Sequence, residues 1–244
     1  MEGKFIKILG LDFFNGQVQE VIAALKSGGL LVVPSGPGLA TINSETEYYR
    51  SLQAADLVIA DSGYMTLLWN LTHEQKINRI SGLEFLQQFL ADEEVKHSEF
   101  LLVNPSKKEA DANQDYLNKK GFKLTTDNSY IAPIYPKDRI EDENLLNLLE
   151  EKKPRYVLIN LGGGVQEILG AYLKGNLSYR PAIICTGAAI AFLTGEQAQV
   201  PTWADRLFLG WLVRCINKPK VYIPRYACAF KLLTVMVQYK THYT

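Results

Sequence analysis

Five short runs in this chain are apolar with almost no alternation: Leu30 to Pro34, Leu57 to Ala60, Phe100 to Val103, Tyr156 to Asn160 and Ala182 to Cys185. A strand with one wet face alternates polar and apolar residues, so a run that is apolar on both faces has to be covered on both. Between these runs lie segments with helical spacing: Gly16 to Lys26, Ser44 to Ala54, Gly82 to Ala91, Ser106 to Lys119, Asp142 to Glu151 and Val165 to Leu173. Ser44 has the form of an N-cap, with Glu47 as its capping-box partner. Further strands are expected at Lys4 to Leu9 and Lys123 to Thr125, and a short helix after Gly187. Strands alternating with helices in this way predict an α/β fold, a doubly wound, mostly parallel, Rossmann-like sheet.

The chain has 244 residues, 47% of them hydrophobic, enough to bury a core without disulfide or metal staples. Its formal net charge of +0 conceals an uneven distribution. Seven of the 26 basic residues lie between Arg206 and Thr244, and none of the 26 acidic ones does. Residues 1–200 read as the sheet domain. Residues 201–244, with Trp203, Trp211, Pro219, Pro224 and an apolar run from Ala227 to Val237, show no βαβ unit and read as a C-terminal helical appendage.

Three cysteines without a CxxC pair point to a reducing compartment and small buried side chains. The apolar start is too short and interrupted for a signal peptide, and no run of about 18 apolar residues could span a bilayer. The expected location is cytoplasmic, free or peripheral.

In open α/β sheets, ligands bind beyond the carboxyl ends of the strands. Asp61 follows the Leu57 to Ala60 run directly, where a carboxylate can serve as general base or cap the following helix or turn. Gly162, Gly163 and Gly164 join a strand to a helix that opens Val165-Gln166-Glu167. Backbone N–H groups there suit an anion such as a diphosphate, while Glu167 can also simply favour the helix dipole. The stretch matches neither GxGxxG nor a P-loop. Gly187 and Ala188 repeat the arrangement after the next strand. Thr41 and Asn43 share a face if extended and could bind a sugar hydroxyl or orient Asp61, or Asn43 and Ser44 could form a turn and cap. Arg79 could reach a phosphate or form a surface ion pair.

His73, His97 and His242 are scattered and no Asp-x-Asp pair is present, so no metal site is expected. In the tail, Lys231, Thr234 and Gln238 make a narrow polar stripe on an apolar segment flanked by Tyr222, Tyr226, Phe230 and Tyr239. Basic and aromatic residues in this mixture suit an anionic membrane surface or, equally, a homo-oligomer interface. Nucleic acid would also attract the charge, but no nucleic-acid motif accompanies it.

In order and spacing along nearly the whole chain, these segments resemble the WecG/TagA/CpsF family of bacterial glycosyltransferases. The matching stretches are Ala40-Thr41-Ile42-Asn43, Val58 to Gly63, Asn78 to Glu84, Leu161-Gly162 with Gln166-Glu167, and Thr186-Gly187-Ala188 with Gly195. They continue through Val200 to Trp203, Gly210 to Arg214, Lys218-Pro219-Lys220 and Arg225-Tyr226. The resemblance implies inverting transfer from a UDP-sugar to a polyprenyl-diphosphate-linked sugar at the inner face of the membrane, with neither metal nor cofactor. By motif position it makes Asp61 the base, with Thr41, Asn43 and Arg79 in the same pocket. It assigns UDP to the Gly162 to Glu167 and Gly187 turns, and the leaving group's charge to Arg214 and Lys220 or Arg225. Gly164-Val165 stands where the family has Pro-Lys, and Gly210 where it often has Glu. Those departures define a second reading, a catalytically impaired nucleotide-sugar-binding or scaffolding protein.

Overall fold

A computed structural model describes residues 4–136, 140–187, 189–196, 210–217, 219–220, 223–224, 227 and 230–236. It contains one eight-stranded sheet with helices on both faces. In chain order the elements are β1 (Phe5–Ile8), β2 (Leu11–Phe14), α1 (Val18–Leu25), β3 (Gly29–Val32), α2 (Gly36–Ala40), α3 (Thr46–Gln53) and β4 (Leu57–Ile59). Then come α4 (Gly63–Thr72), α5 (Gly82–Phe89), α6 (Glu93–Lys96), β5 (Phe100–Asn104), α7 (Lys107–Lys119) and β6 (Ser129–Ile131). The chain continues through α8 (Glu143–Lys152), β7 (Tyr156–Ile159), α9 (Val165–Asn176), β8 (Ala182–Cys185), α10 (Ala189–Leu193) and α11 (Gly210–Asn217).

The strand order is β1-β2-β4-β3-β8-β7-β5-β6, parallel throughout except for the β1–β2 hairpin. The continuous apolar runs explain the layering. Leu30, Val32, Val157, Ile159, Ile183 and Cys185 face one core, under α3, α8 and α9. Their neighbours Leu31, Val33, Tyr156, Leu158, Ala182 and Ile184 face the other, under α1, α5, α7 and α10. After β3 the chain turns to the first face, since Leu39, Tyr48 and Leu52 join that core. After β8 it turns to the second, where Ala189 and Ile190 are buried. β3 and β8 are neighbours, so the strand order reverses between them, and a crevice for ligands opens at such a switch point.

Several local expectations are corrected. Leu9 and Gly10, both at positive φ, turn the chain into β2, which the sequence reading had not identified. The strand expected at Lys123 to Thr125 is non-regular; the edge strand is β6, whose Ser129 pairs with Leu102. The helix that follows Asp61 is α4, and its cap is Ser62, which accepts from the Met65 N–H at 3.2 Å, rather than Asp61. Ser44 is not a cap, because α3 starts after Glu45.

Residues 230–236 rest on this body. Residues 231–236 are helical, Leu232 is fully buried and Met236 nearly so, both in the core under α3, α8 and α9. The Phe230 ring meets Tyr64 of α4 edge-on at 5.9 Å. Among the described residues no helix is long and apolar enough to cross a membrane.

Candidate functional site

Asp61 stands just beyond the carboxyl end of β4 and is held by a segment about twenty residues downstream. The Ile80 N–H donates to the Ala60 carbonyl at 3.1 Å, which fastens residues 79–82 alongside the end of the strand. Arg79 Nε then donates to the Asp61 carbonyl at 2.8 Å, and the Gly82 N–H to Asp61 Oδ1 at 2.9 Å. Arg79 Nη2 lies 3.9 Å from the same oxygen. Asp61 therefore does cap a helix, but it is α5, reached across space, while Ser62 caps the helix that follows in sequence. A Cβ on Gly82 would stand 3.1 Å from Val33 Cγ1, a tight contact that the glycine avoids where the start of α5 approaches the end of β3. The Asp61 side chain remains 35% exposed, enough to meet a substrate hydroxyl.

Thr41 and Asn43 do not lie in extended chain. Thr41 is the C-cap of α2; its Oγ1 donates to the Gly38 carbonyl at 3.1 Å, and its own carbonyl accepts from Ser44 Oγ at 2.9 Å. Residues 41–44 form a turn in which Ile42 is buried and Asn43 is exposed. The turn follows α2, which lies against α4, so it belongs to the same end of the sheet as Asp61.

The two glycine turns are joined by side chains of α9. Gln166 Oε1 accepts from the Gly187 N–H at 2.7 Å, and Gln166 Nε2 donates to Glu167 Oε1 at 2.9 Å. Glu167 Oε2 accepts from the Gly164 N–H at 2.7 Å. Two N–H groups expected to face an anion are thus already engaged within the protein. Gly162 and Gly163 are exposed, with nothing within 4 Å of where a Cβ would stand, and leave the turn open to a ligand. Glu167 is fully buried; burial pushes its carboxyl up to about 7 against the opposing hydrogen bonds from Gln166 and Gly164.

Two buried polar residues at this end of the sheet carry no sequence motif, Asn104 and Asn113, and Thr186 of the second glycine turn is buried as well. Asn104 Oδ1 accepts from Asn113 Nδ2 at 2.8 Å and Asn160 Nδ2 at 3.0 Å. An asparagine closing each of two apolar strands, at 104 and 160, was the available signal. Lys220 is exposed. Ala188, Arg225 and the Arg214 side chain lie outside the described residues. Among the described residues, no three His, Cys, Asp or Glu side chains gather as a metal-binding group.

The profile of the Glycosyl transferase WecG/TagA/CpsF family matches residues 6–243. The chain is 20% identical over 221 residues to N-acetylglucosaminyldiphosphoundecaprenol N-acetyl-beta-D-mannosaminyltransferase of Staphylococcus aureus (strain MRSA252), covering 86% of this chain and 84% of that one. It is 23% identical over 225 residues to the protein of the same name from Bacillus subtilis (strain 168), covering 86% and 82%.

Proposed function

The chain belongs to the WecG/TagA/CpsF family of glycosyl transferases, and from that membership we propose inverting, metal-independent transfer of a sugar from a UDP-sugar to a polyprenyl-diphosphate-linked saccharide. The reaction serves bacterial surface-polysaccharide synthesis. The names of the two relatives support an acceptor of the N-acetylglucosaminyldiphosphoundecaprenol kind and an N-acetylhexosaminyl donor.

The observation that carries this reading is the clip around Asp61, which fixes one carboxylate oxygen on Gly82 and leaves the side chain reachable. In the proposed step Asp61 takes the proton of the acceptor hydroxyl as that oxygen attacks the anomeric carbon. The bond to UDP breaks on the opposite face, so the configuration inverts. Arg79 acts on Asp61 and on sugar or phosphate, and Thr41 and Asn43 line the acceptor side. The Gly162 to Gly164 turn receives the diphosphate at the α9 N-terminus, with Gln166 and Glu167 beneath it and Gly187 and Ala188 beside it. Arg214, Lys220 and Arg225 offset the charge of departing UDP.

The experiment titrates common UDP-sugars with and without a polyprenyl-diphosphate-linked N-acetylglucosamine acceptor while following UDP release. Acceptor-dependent release is expected. Binding without release would replace transfer with the nucleotide-sugar-binding or scaffolding reading, which the occupied N–H groups of Gly164 and Gly187 favour.

The basic tail is assigned to the inner face of the cell membrane, and its Phe230 packs on Tyr64, which follows Asp61 by three residues in sequence. Deleting residues 211–244 is expected to abolish co-sedimentation with anionic liposomes. Undiminished binding would return the tail to a homo-oligomer interface.

A further inference from the structure

Two buried oxygens stand without hydrogen-bond partners on neighbouring strands at the mouth of the sheet. β7 and β8 run parallel with Leu158 opposite Ile184, and Asn160 and Thr186 each come two residues further on, directly after the ends of their strands. Continued by the period of two, the pleat of Leu158 and Ile184 directs both side chains toward the face that carries α7 and α10, and the bond of Asn160 to Asn104, which also binds Asn113 of α7, agrees. Among the described residues, neither Asn160 Oδ1 nor Thr186 Oγ1 has a partner, and each residue is 8% exposed. An unmade hydrogen bond at a buried oxygen is costly, and two together call for a ligand that satisfies both.

The orientation of the Asn160 amide follows from its neighbours. Asn104 Nδ2 faces the backbone carbonyl of Leu102 at 3.4 Å, which is an acceptor only, and Ser129 Oγ at 2.9 Å. Asn104 Oδ1 must then face Asn113 and Asn160, and both present their NH2 groups to it. What remains is the Asn160 oxygen, an acceptor, and on the adjacent strand's end a hydroxyl that can donate.

We propose that Asn160 and Thr186 read the base of the donor nucleotide and select uracil; this rests on the UDP-sugar reading above. Uracil presents N3–H and a ring carbonyl on one edge, because the ring holds its amide cis. Asn160 Oδ1 accepts from N3–H and Thr186 Oγ1 donates to the adjacent carbonyl. The N-acetyl group of a sugar has a trans amide, whose N–H and C=O point to opposite sides, and it cannot engage both. Cytosine is rejected at Asn160 alone: its N3 is an acceptor facing an acceptor oxygen, whereas the Thr186 hydroxyl can turn to accept from its amino group. Both oxygens lack solvent contact, so the base reaches them by displacing the side chains that cover them.

The test titrates the full chain with UDP and CDP by calorimetry, as wild type, Asn160→Ala and Thr186→Val. Wild type is expected to hold UDP at least about tenfold tighter than CDP, Asn160→Ala to cut that ratio to roughly two- to threefold by weakening UDP, and Thr186→Val to weaken UDP several-fold. In transfer assays KM for the donor rises and kcat holds. Thermal unfolding without nucleotide reports the fold, and Thr186→Val, equal in shape to the original, carries the test should Asn160→Ala not fold. An unchanged UDP:CDP ratio in folded Asn160→Ala, an unchanged UDP affinity in folded Thr186→Val, or equal affinities in wild type, overturns the base-reading pair and leaves the UDP-sugar reading standing. Failure of wild type to bind either nucleotide overturns both.

Discussion

Asp61→Asn is expected to fold as wild type does and to transfer sugar about a thousandfold more slowly, the middle of the range for a lost general base. The substitution is nearly silent for structure. Asparagine keeps an oxygen for the Gly82 N–H, and Arg79 Nε bonds the backbone carbonyl, which no side-chain change removes. Stability should therefore move by no more than about 1 kcal/mol. What is lost is the oxygen that can accept a proton. UDP release in the presence of acceptor measures the effect, with thermal unfolding as control. Turnover retained at the wild-type rate would remove Asp61 from the role of base.

The second large effect concerns Glu167 and pH. A carboxyl raised to about 7 in the folded chain, against about 4.3 when unfolded, binds a proton more tightly in the folded state. That linkage favours the fold fully below about 4.3 and is lost as pH rises through about 7. Between pH 5 and 8 the loss amounts to roughly 2–3 kcal/mol. Asp56 behaves oppositely: burial pushes it up, but the Lys174 ammonium and the Leu30 N–H outweigh burial and hold its carboxyl below the ordinary range. Its contribution is present at neutral pH and is lost only in acid, outside the Glu167 window. Urea unfolding across pH 5 to 8 should show stability falling in wild type and a flatter profile in Glu167→Gln. Parallel profiles would show that Glu167 does not titrate in this interval. Above pH 7 the ionised carboxylate keeps the Gly164 and Gln166 hydrogen bonds, so the two turns stay tied while the fold as a whole weakens.

The doubly wound sheet was legible because its cause is local. A strand covered on both faces must be apolar at every position, and Leu30 to Val33, Tyr156 to Ile159 and Ala182 to Cys185 are, whichever strands they pair with. Asp61 was legible for the same reason, since a carboxylate directly after such a run falls at the ligand-binding end of a parallel sheet. The hairpin strand β2 was not, because Leu11-Asp-Phe-Phe is too short to show a period and its turn depends on a positive φ at Leu9.

By itself, then, the sequence determined the layers, the end of the sheet at which the candidate site lies, and the family. Tertiary structure decided the partners. Residue 61 is fastened by residues 79–82, Asn160 is oriented by Asn104 56 positions earlier, and β3 lies beside β8 across the switch point. Periodicity reports which face of an element is buried, whereas hydrogen-bond partners from distant segments exist only once strand order has brought them to the same edge. That is also why the glycine turns read as open cradles in sequence, while in the fold Gln166 and Glu167 already take two of their N–H groups.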